Sequence, residues 1–456
     1  MLENLFKKTD LIHFCGIGGI GMSGIAKVLH ELSFKVQGTE INTDNKQAKN
    51  LKELSCKIFN EHHKDNLKSV THFITTNTIN PNNPEYISAI SKNIPIMRRG
   101  ELLADLISGF KNKISITGAH GKTTITSLIS CIFHEHFKAS FLVGGVLSNY
   151  NTNAKLDSRD FVVCESDESD ATMLMIDADI SVLSNISLEH MEFYKDEESL
   201  MKTYEVFFNQ HFEDKKLICC IDDKRIESLF IKTNASKTNN FITYGFSKKA
   251  DYQITDMSYK NGLNFSLKIK NNKRKNFNIP VLFGEHNALN ATASIVVALE
   301  YGIPEEKIQQ YFSFFLGTHR RMEFVGEIKG CKVYDDYAHH PNEIKSLCNG
   351  LNSVFSNYQV IIEPHKYSRL NDCFEDFVNV IKNINTDVFI TEVYNPTFKS
   401  SKDKDHFDLI NEVKKHGKNN IYFTENDEIL KILSSGKDTV CLNAGNLSYK
   451  IKNLLT

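Results

Sequence analysis

The sequence predicts an α/β protein with more than one domain. Short apolar runs rich in β-branched residues alternate with longer helix-like stretches from end to end, a pattern typical of parallel sheets with crossover helices. Two glycine-rich turns each follow a predicted strand and precede a predicted helix, so each is expected to open its own domain. The 456 residues, 41% of them hydrophobic, also exceed what one compact core accommodates.

The predicted strands are too many for one sheet of ordinary size. They are Leu11–Cys15, Lys35–Gly38, His72–Thr75, Lys113–Thr117, Phe161–Cys164, Ile180–Leu183, Leu217–Ile221, Lys332–Asp335, Gln359–Ile362, Asp387–Thr391 and Thr439–Leu442. We place domain boundaries so that the domains cover residues 1–110, 111–318 and 319–456. The Asn- and Lys-rich stretch 232–275 is expected to form loops and antiparallel hairpins within the middle domain.

Composition and charge exclude several classes of protein. The formal net charge is only -2, and charges of both signs are interspersed, which argues against a nucleic-acid partner. No run of about 18 apolar residues occurs, so we expect no signal peptide, no membrane span and a cytoplasmic location. The ten cysteines form no CxxC pair, which favours reduced thiols over disulfides or sulfur-bound metal.

The strongest local signal is the turn that follows the strand at Lys113–Thr117. The sequence there is GAHGKTT, comprising Gly118, Ala119, His120, Gly121, Lys122, Thr123 and Thr124. Glycines allow backbone N–H groups to face a phosphate, Lys122 supplies positive charge, and the Thr123 hydroxyl can bind Mg²⁺. The spacing is shorter than GxxxxGK[ST], but the strand, turn and helix around it indicate a nucleoside triphosphate site.

An earlier glycine-rich turn indicates a second nucleotide site. The sequence GIGGIG, with glycines at Gly16, Gly18, Gly19 and Gly21, lies between an apolar strand and an amphipathic stretch. Glu40 ends the next strand, where a carboxylate meets a ribose hydroxyl in dinucleotide folds. The turn predicts a diphosphate on a helix N-terminus, although it does not name the ligand, and NAD, FAD or a purely structural turn remain alternatives.

Acidic and histidine side chains follow two further strands. Glu165 ends a buried strand, where a phosphate-loop enzyme needs an Mg²⁺ ligand. The acids after it, Asp167, Glu168 and Asp170, fit a solvated loop better. His190 follows the strand Ile180–Leu183, and the spacing alone leaves a metal ligand and a structural histidine both open.

The second half of the chain carries further polar groups suited to a nucleotide or an anion. Asn287 and Asn290 lie about one helical turn apart and share a face, although Asn287 also suits a helix cap. Arg321 suits phosphate or carboxylate recognition, and Asp336 after a strand suits a ribose. His365 and Arg369 follow another strand, where anion binding and ordinary surface charge are equally compatible with the sequence.

Taken in order, these motifs resemble the Mur ligases over nearly the whole chain. The matching blocks are GIGGIGMSGIA, MRRGELLADL, GAHGKTT, ESDESDA, NISLEHMEFY, GEHNALNA, RRMEFVGE, DDYAHHPNE and EPHKYSR. Each block alone is weak evidence, but nine in sequence order are very hard to obtain by chance. The resemblance implies a Rossmann-like domain for a UDP-sugar, a central phosphate-loop ATPase domain with a mostly parallel sheet, and a C-terminal Rossmann-like domain.

The resemblance also implies an activity. It is the ATP- and Mg²⁺-dependent joining of L-alanine to the lactyl carboxylate of UDP-N-acetylmuramate through an acyl phosphate, in peptidoglycan precursor synthesis. The implied ATP-binding residues are the GAHGKTT turn, Asn287, Asn290, Arg321 and Asp336, and the implied magnesium ligands are Thr123, Glu165 and His190. The implied catalytic residues are Lys122, His190 and Arg321. The UDP-sugar is implied to bind at the first glycine turn, Glu40, His365 and Arg369.

Some positions depart from the family pattern. Glu189 stands where an aspartate is usual, Met322 replaces an aromatic residue, Glu363 replaces a glutamine, and Lys366 replaces an arginine. The segment NAGNL from Asn443 stands where a GAGD-like turn is expected. Three rival hypotheses remain: a ligase that attaches a preformed peptide to the same sugar, a nicotinamide-dependent oxidoreductase, and a non-catalytic nucleotide-binding regulator.

Overall fold

The computed structural model describes residues 5–77, 79–269, 273–352, 354–395, 400 and 403–455. Contacts along the chain divide it into two compact units. The first comprises Met1–Met257, Phe265–Ile279 and Leu289–Leu316, and the second comprises Ser258–Asn264, Pro280–Ala288 and Gly317–Thr456. Within the described residues, no helix has the length and apolar character needed to cross a membrane.

The N-terminal part of the first unit is built on a parallel sheet of five strands in the order β3-β2-β1-β4-β5. The strands are β1 (Leu11–Cys15), β2 (Lys35–Thr39), β3 (Lys57–Phe59), β4 (His72–Thr75) and β5 (Ile96–Arg98). The helices are α1 (Ile20–Glu31), α2 (Lys46–Glu53), α3 (Pro84–Ser91) and α4 (Arg99–Ile107). Asn45 and Asn83 cap α2 and α3 with their side chains, which satisfies backbone N–H groups that the first turn leaves unpaired.

The middle sheet has ten strands in the order β15-β14-β13-β12-β11-β10-β6-β9-β7-β8. They are β6 (Asn112–Thr117), β7 (Ala139–Leu147), β8 (Thr152–Lys155), β9 (Ser158–Glu165), β10 (Ile180–Leu183), β11 (Lys216–Cys220), β12 (Phe241–Gly245), β13 (Tyr252–Ser258), β14 (Leu263–Ile269) and β15 (Arg274–Ile279). Parallel pairing connects β7 to β9, β9 to β6, β6 to β10, β10 to β11 and β11 to β12. The edge strand β8 is antiparallel to β7.

Six helices accompany this sheet along the chain. They are α5 (Lys122–Phe137), α6 (Met191–Tyr194), α7 (Glu197–Asn209), α8 (Lys224–Lys232), α9 (Glu285–Glu300) and α10 (Glu305–Phe314). Residues 232–275 were expected to form loops and antiparallel hairpins, and this expectation was wrong for β12, which pairs in parallel with β11. The polar sequence of residues 232–275 did not indicate that part of this stretch extends the parallel sheet.

The third sheet has six strands in the order β16-β17-β21-β18-β19-β20. They are β16 (Glu323–Ile328), β17 (Cys331–Asp336), β18 (Tyr358–Glu363), β19 (Asp387–Ile390), β20 (Ile421–Phe423) and β21 (Asp438–Asn443), and only β16 is antiparallel to its neighbour. The helices are α11 (Pro341–Leu351), α12 (Tyr367–Asp372), α13 (Phe374–Lys382), α14 (His406–Lys415), α15 (Ile429–Leu433) and α16 (Leu447–Leu455).

One apolar cluster joins the first two sheets within the first unit. Ile25 and Leu29 of α1 and Leu106 of α4 are buried together with Ala154 of β8 and Val162 of β9. Because apolar side chains from both sheets are buried in one cluster, the position of one sheet relative to the other is fixed. The prediction of a mostly parallel α/β fold is confirmed, and the boundary at residue 110 lies inside a shared core.

Candidate active site

The GAHGKTT turn joins β6 to α5 and depends on its two glycines. Gly118 and Gly121 have φ angles of +121° and +84°, a region that L side chains rarely adopt. A Cβ on Gly118 would also lie 2.9 Å from the Asn185 carbonyl oxygen, and a Cβ on Gly121 would collide with Asn290 Oδ1. The turn therefore requires glycine at both positions for conformation and for space.

Asn185 holds this turn in place, a role that the sequence did not reveal. The backbone N–H of His120 donates to Asn185 Oδ1 at 2.8 Å, and Asn185 Nδ2 donates to the His120 carbonyl at 2.9 Å. The Ala119 N–H donates to the Asn185 carbonyl at 3.1 Å, and Ser184 Oγ donates to the His120 carbonyl at 2.7 Å. These bonds fix the turn before a ligand arrives, which reduces the ordering cost of binding.

Lys122 begins α5 and faces both the turn and a carboxylate. Its Nζ donates to the carbonyl oxygens of Gly118 at 2.7 Å and Ala119 at 3.2 Å, and it lies 2.7 Å from Glu168 Oε2. Burial by itself would lower the pKa of the ammonium, but the charges of Glu168, Glu165 and Asp167 outweigh it and raise that pKa. Lys122 is therefore a fixed positive charge at the N-terminus of a helix, where anions bind favourably.

Thr123 and Glu165 place oxygen atoms together beside Lys122. Thr123 Oγ1 lies 3.2 and 3.1 Å from the two carboxylate oxygens of Glu165, and the Gly144 N–H donates to Glu165 Oε2 at 2.9 Å. Burial raises the pKa of Glu165, while Lys122, Gly144 and Thr123 oppose that rise. A hydroxyl and a carboxylate are the hard oxygen ligands that Mg²⁺ prefers, so these residues fit a magnesium ion bound to nucleotide phosphates.

The acids after Glu165 are not the solvated loop that the sequence suggested. Glu168 is only 4% exposed, and its Oε1 lies 3.6 Å from His190 Nε2. The Glu168 carboxylate is the main reason that the pKa of His190 is raised. The expectation was wrong because the charges of Lys122 and His190, distant in sequence, compensate this carboxylate.

Arg99 connects the acidic segment to the first glycine turn. Its Nη2 lies 3.1 Å from Asp167 Oδ2 and 3.2 Å from Asp170 Oδ2. A Cβ placed on Gly21 would lie 3.2 Å from Arg99 Nη1. The block MRRGELLADL contained this residue, but nothing in its spacing distinguished Arg99 from a surface arginine. Arg99 thus lies between the acidic segment and the first glycine turn.

The first glycine turn follows β1 and leads into α1. The N–H groups of Gly16 and Ile17 donate to the Thr39 carbonyl at 2.9 and 3.0 Å, and Gly19 is the N-cap of α1. A Cβ on Gly18 would collide with the Glu40 carboxylate and lie 2.6 Å from Asn45 Nδ2. The structure therefore brings Glu40 to the turn, as the sequence pattern predicted for a nucleotide site.

Two predicted asparagines lie in α9 and have different surroundings. Asn290 is buried and approaches Gly121 of the phosphate turn. Asn287 Nδ2 donates to the Phe283 carbonyl at 2.7 Å. Asn290 therefore lies against the phosphate turn, whereas Asn287 hydrogen-bonds to a residue just before its own helix.

Two further residues of the GAHGKTT block have described surroundings. Thr124, the last residue of the block, is buried in α5, and His120 Nε2 lies 3.1 Å from Glu189 Oε1.

In the second unit, Asp336 closes β17 beside Arg321. Asp336 accepts hydrogen bonds from the N–H groups of Met322 and Ala338, both at 2.8 Å. Burial raises the pKa of Asp336 to about 6, with Arg321 opposing the rise. Arg321 lies over the Tyr337 ring with its Cζ 5.6 Å from the centroid. The charge of Arg321 therefore acts on the Asp336 carboxyl, and these are the two residues predicted to meet the nucleotide.

The segment that departs from the family pattern forms a buried polar network. Arg320 Nη2 donates to Asn443 Oδ1 at 2.7 Å, and Asn443 Nδ2 donates to Asp335 Oδ1 at 2.7 Å. Ser448 Oγ donates to Asp335 Oδ2 at 2.5 Å. These hydrogen bonds connect the end of β21 to β17 and fix their relative position.

His365 and Arg369 lie at the start of α12, next to a second histidine. Arg369 Nη1 lies 3.3 Å from His365 Nδ1, and the His339 and His365 rings lie 5.5 Å apart. Burial, followed by the charges of His339 and Arg369, lowers the pKa of His365 to about 3. The cluster thus combines a neutral imidazole with a permanent cation, a combination suited to an anionic group.

Comparisons with known proteins agree along the whole chain. Family models for "Mur ligase family, catalytic domain", "Mur ligase middle domain" and "Mur ligase, glutamate ligase domain" match residues 11–111, 116–298 and 320–447. The chain is 34% identical to a UDP-N-acetylmuramate–L-alanine ligase from Rickettsia felis, with 98% of this chain and 97% of the relative covered. It is 36% identical to one from Aquifex aeolicus over 86% and 85%.

Solved structures give the same result. The UDP-N-acetylmuramate–alanine ligase from Thermotoga maritima superposes with a TM-score of 0.82 at 26% identity, covering 97% of each chain. A murein peptide ligase from Psychrobacter arcticus shares the fold, with a TM-score of 0.71 at 18% identity and 98% of each chain covered. The sequence identity, the three consecutive family matches and the common fold lead to one conclusion: this chain belongs to the Mur ligase family.

Proposed function

We propose that this protein joins L-alanine to the lactyl carboxylate of UDP-N-acetylmuramate, with ATP converted to ADP and phosphate, as a step in peptidoglycan precursor synthesis. The relatives that match nearly the whole chain at 34% identity are UDP-N-acetylmuramate–L-alanine ligases. The observation that carries the proposal within this chain is the grouping of Lys122, Thr123 and Glu165 at one phosphate turn. We further propose that the enzyme works in the cytoplasm.

The proposed chemistry begins with transfer of the ATP γ-phosphate to the lactyl carboxylate. Two anions must approach each other, so catalysis depends on positive charge placed where negative charge develops. Lys122 supplies that charge, and Asn185 keeps the turn that carries it in shape. Mg²⁺, bound through Thr123 and Glu165 with His190 nearby, would neutralise phosphate charge when present. The free amine of L-alanine then attacks the acyl phosphate, and phosphate leaves.

The remaining site residues receive proposed roles by their motifs. We assign the first glycine turn and Glu40 to the UDP-sugar, and the GAHGKTT turn with Asn287 and Asn290 to ATP. Arg321 and Asp336 are assigned to the nucleotide, and His365 and Arg369 to the substrate carboxylate or the amino acid. We propose the domain ranges 1–110, 111–318 and 319–456 for these three tasks.

Mass spectrometry of the product tests the proposal. The protein is incubated with ATP, Mg²⁺, UDP-N-acetylmuramate and one amine donor: L-alanine, glycine, L-serine or the tripeptide of a peptide-adding ligase. We expect UDP-N-acetylmuramoyl-L-alanine with L-alanine as the preferred donor. A product formed only with the tripeptide would assign the protein to the peptide-adding branch, and tight NAD binding without ligation would assign it to neither.

A second experiment tests the acyl phosphate. UDP-N-acetylmuramate labelled with ¹⁸O in its lactyl carboxylate is supplied with L-alanine and ATP. If the carboxylate attacks the γ-phosphate, one labelled oxygen leaves with the phosphate when the amide forms. Unlabelled phosphate would contradict this route.

A further inference from the structure

A cysteine, a histidine and a glutamate meet close to the first glycine turn. Cys15 is the last residue of β1, His62 lies in the loop after β3, and Glu85 lies in the first turn of α3. One potential ligand atom from each lies within 4.8 Å of the other two. Cys15 Sγ lies 3.8 Å from His62 Nδ1, which in turn lies 2.7 Å from Glu85 Oε2. None of these side chains has a role in the proposed ligation.

We propose that Cys15, His62 and Glu85 form a binding site for one thiophilic divalent cation of the Zn²⁺ class. Zn²⁺ is bound by cysteine sulfur at about 2.3 Å, histidine nitrogen at about 2.0 Å and carboxylate oxygen at about 2.1 Å. In a tetrahedral arrangement these lengths separate the ligand atoms by about 3.4–3.6 Å. The sulfur–nitrogen separation of 3.8 Å is about 0.3 Å longer than a shared ion requires, and the nitrogen–oxygen separation of 2.7 Å is about 0.7 Å shorter. The His62 ring must therefore move away from Glu85 Oε2 to admit the ion.

The surroundings of Glu85 hold its carboxylate in one orientation. Its Oε1 accepts hydrogen bonds from the Thr39 hydroxyl and, at 2.7 Å, from Asn66 Nδ2. His13 Nε2 lies 3.5 Å from the same oxygen. Because Gln37 Nε2 lies 3.1 Å from His13 Nδ1 and is a donor, Nε2 is the protonated nitrogen of His13 and also faces Oε1 as a donor. Partners of this kind orient metal ligands and increase affinity.

The other carboxylate oxygen, Oε2, faces His62 and Cys15. Glu85 is fully buried and Cys15 is 8% exposed, whereas the His62 side chain is 25% exposed and gives an ion access from solvent. Sulfur and imidazole ligands favour Zn²⁺ over Mg²⁺ and Ca²⁺, which bind through oxygen.

Charge and atoms balance on binding. The thiol of Cys15 releases its proton to solvent, and the sulfur–metal bond replaces the S–H bond. One thiolate and one carboxylate then match the two positive charges of the ion. His62 Nδ1, which donates its proton to Glu85 Oε2 in the metal-free chain, gives up that proton on binding, and Nε2 carries the ring proton instead, so that His62 binds as a neutral imidazole. The spacing of the cysteines along the sequence did not reveal this site, because its ligands come from three separate segments. An ion there would tie β1, the loop after β3 and α3 together beside Gly16.

Cobalt binding to the metal-free, full-length protein tests the site. Co²⁺ bound to a thiolate gives a near-ultraviolet charge-transfer band, and Zn²⁺ competition then gives the Zn²⁺ affinity. We expect one thiolate-bound Co²⁺ per chain, displaced by Zn²⁺. Cys15→Ser should abolish the band, and His62→Gln should weaken metal affinity at least about 10-fold.

Matched variants distinguish this cluster from other thiols. Cys373 also lies next to a histidine, with its Sγ 3.7 Å from His340 Nε2, so Cys373→Ser is the thiol control. His63→Gln changes an exposed neighbouring histidine. Both controls should keep the band. Absence of a thiolate band, or a band that survives both Cys15→Ser and His62→Gln, would overturn the proposal. If Cys15→Ser does not fold, the His62→Gln affinity decides the result.

Discussion

Lys122 Nζ lies 2.7 Å from Glu168 Oε2 and 2.7 Å from the Gly118 carbonyl oxygen. The ammonium is thereby held at the phosphate turn by a carboxylate that the sequence had suggested was solvated. A buried ion pair contributes little net stability, but loss of either partner leaves an uncompensated charge. This contact therefore fixes the position of Lys122 more than it stabilises the fold.

The Lys122→Arg variant tests whether catalysis needs the exact position of the Lys122 ammonium or only a positive charge near it. The guanidinium keeps the positive charge beside Glu168 but cannot take the compact place of an ammonium. We expect phosphate release to fall by about 10²–10³-fold, and a urea unfolding curve checks that the variant is folded. Lys113 lies on the same unit in β6, 3.5 Å from Asp179, and its side chain is equally exposed, at 15%. Unchanged turnover in Lys122→Arg, or an equal loss in Lys113→Arg, would contradict the assigned role.

Glu165→Gln tests the proposed magnesium ligands. The amide keeps the size of the side chain and removes its charge, so we expect the Mg²⁺ concentration for half-maximal activity to rise at least about 10-fold. Thr123→Val should act in the same direction because it removes the hydroxyl. Titration of activity with Mg²⁺ at saturating ATP measures both effects. An unchanged Mg²⁺ requirement in both variants would show that the ion is held elsewhere.

Asn185→Ala should loosen the phosphate turn. The variant loses the two side-chain bonds to His120, which together contribute about 1–3 kcal/mol, and the KM for ATP should rise several-fold. Asn240 provides a matched control, since its amide bonds to the carbonyls of His211 and Glu213. Asn240→Ala should lower the melting temperature without changing the KM for ATP. Equal KM values for ATP in the two variants would show that Asn185 does not hold the phosphate turn in its binding conformation.

Glu363 gives the stability a defined pH dependence. Burial raises the pKa of this carboxyl to about 7, opposed mainly by Lys450. Unfolded glutamate has a pKa of about 4.3, so the folded chain binds this proton more tightly. The free energy of unfolding should therefore fall as pH rises from about 4.3 to about 7, by roughly 4 kcal/mol at most.

Glu363→Gln removes this titration and restores the residue expected from the family pattern. The variant should gain stability relative to the parent at pH 8 and show little gain at pH 4. Urea unfolding of both proteins at the two pH values measures the difference. A stability difference that does not change between pH 4 and pH 8 would show that Glu363 does not titrate in this range.

The sequence predicted local features well because they depend on neighbouring residues. Strands such as Leu11–Cys15 and Ile180–Leu183 were predicted with the bounds that the structure has. The glycine turn at Gly118 was also predictable, because phosphate turns have a local signature. Contacts between residues that are distant in the sequence could not be predicted. Asn185 meets His120 across 65 positions, and Arg99 meets Asp167 across 68.

The proposed ligation is tested by phosphate release in the complete reaction, with each component omitted in turn. The reaction contains ATP, Mg²⁺, UDP-N-acetylmuramate and L-alanine, and it is run with the parent protein, Lys122→Arg and Lys113→Arg. We expect release that requires all four components, falls by about 10²–10³-fold in Lys122→Arg and persists in Lys113→Arg. Release that does not depend on L-alanine, or no release from the folded parent protein, would contradict it.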